Sequence, residues 1–416
     1  MTNSVAASHA KGKFATDKIF GASGAAVKAT AEHGKDKVVN ATIGAIMDDN
    51  EKLACIPTVE KVLRGMSIND MIAYAPISGL PAYLDATINL AFADQRPDAY
   101  FNSVATAGGT GVIHHTIWNY SEIGDKVLTS DWYWGPYSVL CKEALRELDT
   151  YQLFDEHQNF NIKSFEKKVN ELLSKQNSLV IIINTPAHNP TGFSLTDDDW
   201  KKVLDVCKVQ AKNPEKKITV LIDIAYIDYA GEKNESRKFL KQFSNLPANI
   251  LGILAFSMSK GYTMYGQRTG AMIGISSDKN VIKEFAEINQ YTSRATWSNI
   301  NRGAMTLLTT IDQDKTLLVQ FEKERDGYYQ LIRERADIFM SEAKACGLNM
   351  LPYRAGFFIS IPAADSDAVC TKLHDDLIFA VPLKMGVRIA VCAVPSAKIK
   401  GMAEKVLNAM NFVEQK

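Results

Sequence analysis

Residues 179–184 read LVIIIN and give the clearest indication of the fold, because a run of aliphatic residues without a charge suits a strand that is buried on both faces. The runs ITVLID at 218–223, GILAFS at 252–257 and AMIGIS at 271–276 have the same character. Between the first two runs, residues 199–211 place apolar side chains at helical spacing. This alternation predicts an α/β fold in which helices cover a largely parallel sheet.

The sequence from about 314 to 345 predicts one long helix, since a helical pattern continues there over many turns without a proline. Such a length is typical of a connector between domains. Beyond it, the pattern predicts a small α+β unit with a strand at 356–361, a helix near 367–377, a strand near 387–391 and a last helix from Ser396. We therefore predict a flexible arm at residues 1–18, a large domain at 56–327, and a small domain formed by 19–55 and 328–416.

Composition and charge exclude several classes of protein. The 416 residues carry 47 basic and 47 acidic side chains, so no general basic field is present to bind nucleic acid or an anionic membrane. The six cysteines are scattered, without a C-x-x-C pair or a histidine at metal spacing, and we expect reduced thiols and no metal site. No segment has the pattern of a signal peptide or a membrane span, which favours a soluble, cytoplasmic protein.

Candidate functional residues follow the predicted strands at the sheet edge, where ligands gather in open α/β sheets. The strand that ends at Ser257 leads into Ser259 and Lys260, and Arg268 follows. Burial lowers the pKa of a lysine, so Lys260 could act as an amine nucleophile towards an aldehyde, and Arg268 offers a planar fork for phosphate. An isolated S-x-S-K sequence is more often a solvated loop lysine.

Three further features point to the same chemistry. Asp223 closes one predicted strand, where a buried acid needs a cationic partner such as a protonated pyridine nitrogen. Asn189, in an NPTG turn, could donate to a phenolic oxygen, and the GGT sequence at 108–110 could cradle a phosphate with backbone amides. Each alone has a structural explanation as a salt bridge or turn residue. Together with Lys260 they fit one cofactor, which has an aldehyde, a pyridine ring, a phenolic oxygen and a phosphate.

With these residues, the chain resembles the class I aminotransferases, and among them the aspartate and aromatic aminotransferases, from about 38 to 395. The most specific motifs are NPTG at 189–192, S-x-S-K at 257–260 and the continuation to Arg268. The resemblance implies fold type I, with a mostly parallel seven-stranded sheet in the large domain and a smaller α+β domain. It also implies that Lys260 holds pyridoxal 5'-phosphate as a Schiff base.

The resemblance further implies roles around this cofactor. Asp223 would pair with the pyridinium nitrogen, and with Lys260 and Tyr226 it forms the implied catalytic set. Asn189 and Tyr226 would bind the phenolic oxygen, while Trp134 would stack on the ring. The implied phosphate-binding residues are Gly109, Thr110, Ser257, Arg268 and Tyr74. The last of these would come from the partner subunit of an obligate homodimer.

Two arginines carry the implied substrate specificity. Arg388 matches the arginine that binds the substrate α-carboxylate, and Gly44 matches a glycine that approaches the substrate. Arg294, in R-x-x-x-S-N, matches the partner-subunit arginine that binds a distal carboxylate. Trp134 and Asn189 complete the implied substrate-binding set.

The chain also departs from the family pattern. Gly108 stands where the family commonly has serine, and Ile46 replaces a common tyrosine. Tyr137, in Gly-Pro-Tyr at 135–137, stands where a histidine normally supports the ring-binding aspartate, so Tyr137 either substitutes for that histidine or the support is lost. Three residues have no matched role and are interpreted as structural: His114, His115 and Trp118.

The implied reaction is transamination between an amino acid and a 2-oxo acid such as 2-oxoglutarate, with ping-pong kinetics through pyridoxamine phosphate. Arg294 favours aspartate or glutamate as the donor, with aromatic amino acids next, because a buried guanidinium rejects neutral side chains unless it swings aside. A related pyridoxal phosphate enzyme, such as a β-decarboxylase or C–S lyase, would share Lys260, Asp223 and Arg388. A non-catalytic regulator that binds the cofactor is less favoured, since no helix-turn-helix pattern precedes residue 38.

Overall fold

The computed structural model describes residues 5–13 and 18–415. Its α-helices are α1 Lys18–His33, α2 Pro57–Gly65, α3 Ile68–Ile72, α4 Pro81–Phe92, α5 Gly108–Tyr120, α6 Pro136–Glu143, α7 Ile162–Leu173, α8 Asp197–Gln210, α9 Met258–Gly261, α10 Lys279–Thr296, α11 Arg302–Gln313, α12 Lys315–Cys346, α13 Ser366–Leu373, α14 Ser396–Ile399 and α15 Met402–Glu414. Its strands are β1 Val39–Asn40, β2 Tyr100–Thr106, β3 Lys126–Ser130, β4 Glu147–Tyr151, β5 Ser178–Asn184, β6 Lys217–Asp223, β7 Ile250–Ser257, β8 Gly270–Ser276, β9 Phe358–Pro362, β10 Ile378–Phe379, β11 Val381–Leu383 and β12 Gly386–Ala390.

The larger sheet has seven strands in the order β2-β8-β7-β6-β5-β3-β4. Strand β8 is antiparallel to both of its neighbours, and the other pairs are parallel. Successive side chains of β5 enter different apolar clusters, with Ile181 and Ile183 on one side of the sheet and Val180 and Ile182 on the other. The prediction of an α/β fold with a mostly parallel sheet buried on both faces is therefore confirmed.

The predicted element boundaries differ from the observed ones by a few residues, for local reasons. Helix α8 begins two residues before the predicted start because Thr196 and Asp199 form a capping box there. Strand β9 begins later than predicted because Gly356 has a φ of 96°, which interrupts extended backbone. The helix predicted near 367–377 is observed as α13, which ends at Leu373, and a 3₁₀ helix follows it from His374 to Asp376.

A second group of strands lies in the C-terminal part of the chain. Strands β11, β12 and β9 form an antiparallel sheet, and β1 pairs with β10 in parallel. Their side chains share a separate apolar cluster with residues of α12 and α15, among them Phe339 and Val406. The pairing of β1 with β10 joins the segment before residue 55 to this group.

Helix α12 spans both apolar clusters. It starts at the N-cap Asp314, whose carboxylate accepts hydrogen bonds from two backbone amides, and it ends at Gly347 in the left-handed conformation. Phe321 lies in the cluster of the large sheet, whereas Phe339 lies in the cluster of the smaller one. The long helix is thus a connector, as predicted, while the domain limits stay a prediction.

The predicted arm is only partly covered, because residues 1–4 and 14–17 lie outside the described residues. Within 5–13, the Lys13 ammonium pairs with the Glu143 carboxylate on α6 at 2.6 Å. Both side chains are substantially exposed, so this ion pair contributes little stability. Across the described residues, no helix is both long enough and apolar enough to cross a bilayer.

Candidate active site

The candidate site lies at the carboxyl ends of β5, β6 and β7. Because these strands are parallel and in register, with Asn184 opposite Asp223 and Asp223 opposite Ala255, their last residues meet at one edge of the sheet. A cavity of about 170 Å³ opens there. The sequence-predicted residues that line it are Gly109, Thr110, Trp134, Asn189, Asp223, Tyr226, Ser257, Lys260 and Arg268.

Lys260 enters this cavity from the short helix α9. The hydroxyl of Ser257 accepts a hydrogen bond from the amide of Ser259 and so starts the helix at the end of β7. The Lys260 ammonium donates to the carbonyl oxygen of Gly44 at 2.7 Å. Burial lowers the pKa of Lys260 to about 8, and the charges of Arg388 and Arg268 act in the same direction. A useful fraction of the amine is therefore neutral, and nucleophilic, near neutral pH.

Asp223 is a buried carboxylate, 6% exposed, that faces the same cavity. The hydroxyl of Tyr137 donates to its Oδ2 at 2.7 Å, and the amide of Ala225 donates to its Oδ1 at 3.2 Å. Burial raises the pKa of Asp223. Among residues 5–13 and 18–415, no basic nitrogen lies within 4.0 Å of the oxygens of this carboxylate, so it has no ion-pair partner there. The site therefore offers a buried carboxyl group as a partner for a cationic group of a ligand.

Groups with positive charge or partial positive charge lie near the start of α5. This helix of 13 residues begins at Gly108, so its first amide groups and the positive end of its dipole face the cavity at Gly109 and Thr110. The Arg268 guanidinium donates to the Ser259 hydroxyl at 3.1 Å and to the Tyr265 carbonyl oxygen at 2.9 Å. Helix amides, a guanidinium and hydroxyl groups are the donors that bind a phosphate.

The backbone conformation at residue 108 and the position of Arg268 account for a glycine where the family commonly has serine. The φ of Gly108 is 67°, a left-handed conformation that residues with a side chain rarely adopt. A Cβ atom at this position would lie 2.7 Å from Nη2 of Arg268. The guanidinium therefore occupies space that a serine side chain would need.

Arg388 lies on β12 of the smaller sheet and contacts Asn189, which lines the cavity. It is 2% exposed, and its Nη1 donates to Asn189 Oδ1 at 3.3 Å while its Nη2 donates to the carbonyl oxygen of Thr42 at 2.6 Å. The guanidinium also lies 4.3 Å from the ring centroid of Phe358. Asn189 in turn donates from Nδ2 to the hydroxyl of Tyr226 at 3.4 Å. These contacts link the two sheets through the cavity wall.

Gly44 is placed beside the same groups. A Cβ atom on Gly44 would lie 2.6 Å from Cζ of Phe358, so only glycine fits at this close approach. Its carbonyl oxygen accepts the hydrogen bond from Lys260. The structure thus brings Gly44, Arg388 and Lys260 to one region, and the roles implied for them stay predictions.

Four predicted site residues are not among those that line the cavity in this chain: Gly44 and Arg388, which contact lining residues, and Tyr74 and Arg294, which are exposed. Tyr74 is 88% exposed, and its carbonyl oxygen accepts a hydrogen bond from Arg302 at 3.3 Å. Arg294 is exposed at the end of α10 and donates to the Ser298 hydroxyl at 2.5 Å. Their predicted action across a subunit interface stays a prediction.

The residues without a matched role have structural surroundings. His115 is fully buried, stacks on Trp297 with a centroid distance of 4.4 Å and lies 3.2 Å from the Ser293 hydroxyl. Burial lowers its pKa to about 3, so it stays neutral. Trp118 is 47% exposed beside the Arg146 guanidinium. Ile46 is buried, and its amide donates to the Tyr265 hydroxyl at 2.9 Å.

Sequence reasoning missed two polar residues that line the cavity, Asn184 and Tyr265, and the apolar Ile113 and Ala225. The Asn184 side chain accepts from the amide of Asn189 at 2.6 Å and donates to the carbonyl oxygen of Asp223 at 3.0 Å. It thereby ties the NPTG turn to the end of β6. A signal existed for both polar residues, because Asn184 is the polar end of an aliphatic strand and Tyr265 lies between Lys260 and Arg268.

Comparison with known proteins agrees with this arrangement. The sequence profile of the family described as "Aminotransferase class I and II" matches residues 36–406. The cytoplasmic aspartate aminotransferase of Dictyostelium discoideum is 27% identical over 413 residues, which covers 96% of this chain and 89% of that relative. The crystal structure of an aminotransferase from Anaerococcus prevotii is 34% identical, with a TM-score of 0.96, and covers 98% of this chain and 100% of that chain.

A more distant structure shows the fold alone. It is an aromatic-amino-acid aminotransferase from Burkholderia pseudomallei covalently bound to pyridoxal phosphate, 20% identical with a TM-score of 0.79, over 97% of this chain and 100% of that chain. The expected fold type and enzyme class are confirmed by these matches. Because the family profile covers most of its length, the chain belongs to the class I and II aminotransferases.

Proposed function

We propose that this aminotransferase uses pyridoxal phosphate to transfer an amino group from an amino acid to a 2-oxo acid such as 2-oxoglutarate, with ping-pong kinetics. The observation that carries the proposal is the pairing, in one cavity, of the Lys260 amine with the buried Asp223 carboxylate. The amine suits an aldehyde, and the carboxylate, which has no ion-pair partner among the described residues, suits a pyridinium nitrogen.

The residues present fit this cofactor. The first turn of α5 and Arg268 would hold its phosphate, with the Ser257 hydroxyl nearby. Asn189 and Tyr226 would donate to its phenolic oxygen, as their mutual hydrogen bond places both at one point of the cavity wall. Trp134, part-buried in that wall, would cover the ring.

Lys260 is the proposed proton carrier. When bound, the cofactor supplies an electron-withdrawing ring that stabilises the negative charge left on the substrate Cα after it loses a proton. Lys260 would move this proton between the substrate Cα and the C4′ carbon of the cofactor, and a pKa of about 8 for its free amine suits that role. Asp223 would keep the ring nitrogen of the bound cofactor protonated.

Arg388 would bind the substrate α-carboxylate. Its guanidinium is held by Asn189, Thr42 and the Phe358 ring, so its orientation is fixed before substrate arrives. Arg294 would bind a distal carboxylate, which makes aspartate or glutamate the favoured donor and aromatic amino acids the next.

A homodimer with shared sites forms part of the proposal, with Tyr74 and Arg294 supplied by the partner subunit. Ile68 and Ile72, on the helix that precedes Tyr74, are 66% and 72% exposed, an apolar surface that suits an interface. A cytoplasmic location is also proposed, and the named location of the Dictyostelium relative supports it.

The test is a visible absorption spectrum of the cofactor-loaded protein before and after addition of aspartate without any 2-oxo acid. We expect loss of the visible absorbance of the lysine-bound cofactor, release of oxaloacetate, and recovery on addition of 2-oxoglutarate. The Lys260→Ala variant should lack both the original absorbance and turnover. Continuous release of ammonia, sulfide or carbon dioxide without a 2-oxo acid would instead identify a lyase or decarboxylase.

A further inference from the structure

Tyr137 is a fully buried tyrosine on the first turn of α6. Pro136 occupies the start of this helix, and the amide of Tyr137 donates to the carbonyl oxygen of Trp134 at 2.9 Å. The ring of Tyr137 lies in the apolar cluster that contains Ile182 and Leu221. The backbone and the packing therefore direct its hydroxyl inwards, where a buried hydroxyl needs a partner.

That partner is the Asp223 carboxylate, which accepts from the Tyr137 hydroxyl at 2.7 Å. Burial and the nearby negative charge raise the pKa of Tyr137 well above its usual value, so the hydroxyl keeps its proton. The hydrogen bond is thus charge-assisted and always runs from Tyr137 to Asp223. It settles the alternative that the sequence left open, because the aspartate does have a side-chain support.

We propose that Tyr137 is a positioning residue that holds Asp223 ionised and oriented towards the ring nitrogen of the cofactor. This inference rests on the proposed function, because it concerns the affinity of the same cavity for pyridoxal phosphate. Tyr137 does not contact substrate in this role, and it acts through Asp223.

The Tyr137 hydroxyl matters because the Asp223 carboxylate has few other hydrogen-bond donors among the described residues. The other groups that face its carboxylate are the amide of Ala225, the Lys260 ammonium and the Tyr226 phenol. Among the described residues, neither Lys260 nor Tyr226 forms a hydrogen bond or ion pair with the carboxylate. Without the Tyr137 hydroxyl, Asp223 would keep a single backbone hydrogen bond, and burial would raise its pKa further.

The test compares cofactor affinity in Tyr137→Phe and in the wild type. Phenylalanine keeps the ring, and with it the edge contact to Trp134 at a centroid distance of 5.5 Å, so only the hydroxyl is lost. Tyr83→Phe is the matched control, because Tyr83 is also fully buried and its hydroxyl has no partner among the described residues. Apoprotein is titrated with pyridoxal phosphate, and with an analogue whose ring nitrogen is replaced by carbon, between about pH 6 and pH 9.

We expect Tyr137→Phe to bind pyridoxal phosphate about ten- to a hundredfold more weakly, as for loss of a hydrogen bond to a charged group. The loss should grow as the pH falls, because Asp223 then becomes protonated. For the analogue, the affinity of Tyr137→Phe should be less than about threefold below that of the wild type, since the analogue lacks the nitrogen that Asp223 pairs with. Tyr83→Phe should match the wild type with both ligands.

Two outcomes would overturn the inference. An equal loss for both ligands would show that Tyr137 only maintains the shape of the cavity, and an unchanged affinity for pyridoxal phosphate would show that the hydrogen bond has no role. Both differ from failure of the proposed function, in which the wild type itself would not take up pyridoxal phosphate. Near-ultraviolet circular dichroism of each apoprotein establishes that the variants are folded.

Discussion

The Lys260 ammonium and the carbonyl oxygen of Gly44 are joined by a hydrogen bond of 2.7 Å. Gly44 packs against Phe358 of the smaller sheet, whereas Lys260 follows β7 of the larger one. The reactive amine is therefore held at the junction of the two sheets, in surroundings that lower its pKa. Gly44 accepts from the charged form, so a neutral amine binds it less tightly and is free to react.

The pH dependence of cofactor capture should report this amine. The pKa of Lys260 is lowered from 10.5 to about 8 by burial, so the rate at which apoprotein captures pyridoxal phosphate should rise with pH around a midpoint near 8. Stopped-flow absorbance measures this rate. A midpoint near the ordinary value of about 10.4 would contradict the burial that the structure shows.

The same shift predicts a change in stability. Between pH 8 and 10.5, the unfolded chain binds a proton at Lys260 that the folded chain has released. The free energy of unfolding of the wild-type apoprotein should therefore rise with pH across this window, relative to that of Lys260→Ala. Urea unfolding at a series of pH values checks the sign, and a parallel course of the two proteins would refute it.

The Arg294→Ala substitution should change substrate choice. Removal of the guanidinium should reduce kcat/KM for aspartate by about a hundredfold, the effect of removing one partner of an ion pair, and should leave kcat/KM for phenylalanine nearly unchanged. Arg64→Ala is a suitable control, because Arg64 is exposed and pairs with Glu60 on its own helix. An unaltered aspartate kcat/KM would remove the basis for a preference for acidic donors.

A mixed dimer should reveal which subunit supplies Arg294. We expect Lys260→Ala to be inactive towards aspartate and Arg294→Ala to keep only about a hundredth of the wild-type kcat/KM. If Arg294 acts across the interface, random reassociation gives hybrids with one intact site, and roughly a quarter of the wild-type aspartate activity should return. Absence of any recovery, with hybrid formation demonstrated by tagged subunits, would place Arg294 in the site of its own chain.

Restoring serine at position 108 should harm the protein. Gly108→Ser places a side chain on a backbone with a φ of 67° and displaces the Arg268 guanidinium, so we expect a loss of about 1–2 kcal/mol in the free energy of unfolding. Affinity for pyridoxal phosphate should fall as well, because Arg268 moves. Thermal unfolding and cofactor titration measure both effects.

The control for this substitution is Gly327→Ala. Gly327 lies within α12 with open space around it, so alanine there should stabilise the protein by about 0.5–1 kcal/mol. Tighter cofactor binding by Gly108→Ser would show that glycine at this position weakens cofactor binding and is not an adaptation to the position of Arg268.

Much of the fold was predictable because local patterns in the sequence indicate its strands and helices. An aliphatic run such as 179–184 can satisfy its backbone and bury both faces only as an inner strand, and the structure places it there as β5. Lys260, Asp223 and Asn189 were predictable as neighbours for a related reason, since each follows an inner parallel strand and such strands end at one edge. Boundaries were less predictable, because caps such as Thr196 act through single hydrogen bonds.

The amino-acid sequence alone is thus enough to predict the class of fold, the family and the chemical groups of the candidate site. How those groups support one another becomes visible only in the packed fold. The hydrogen bond from Tyr137 to Asp223 joins residues 86 positions apart, and that from Arg388 to Asn189 joins residues 199 apart. Contacts at such separations leave no local pattern, because they depend on how whole elements pack and on which hydroxyl or guanidinium that packing turns towards the cavity.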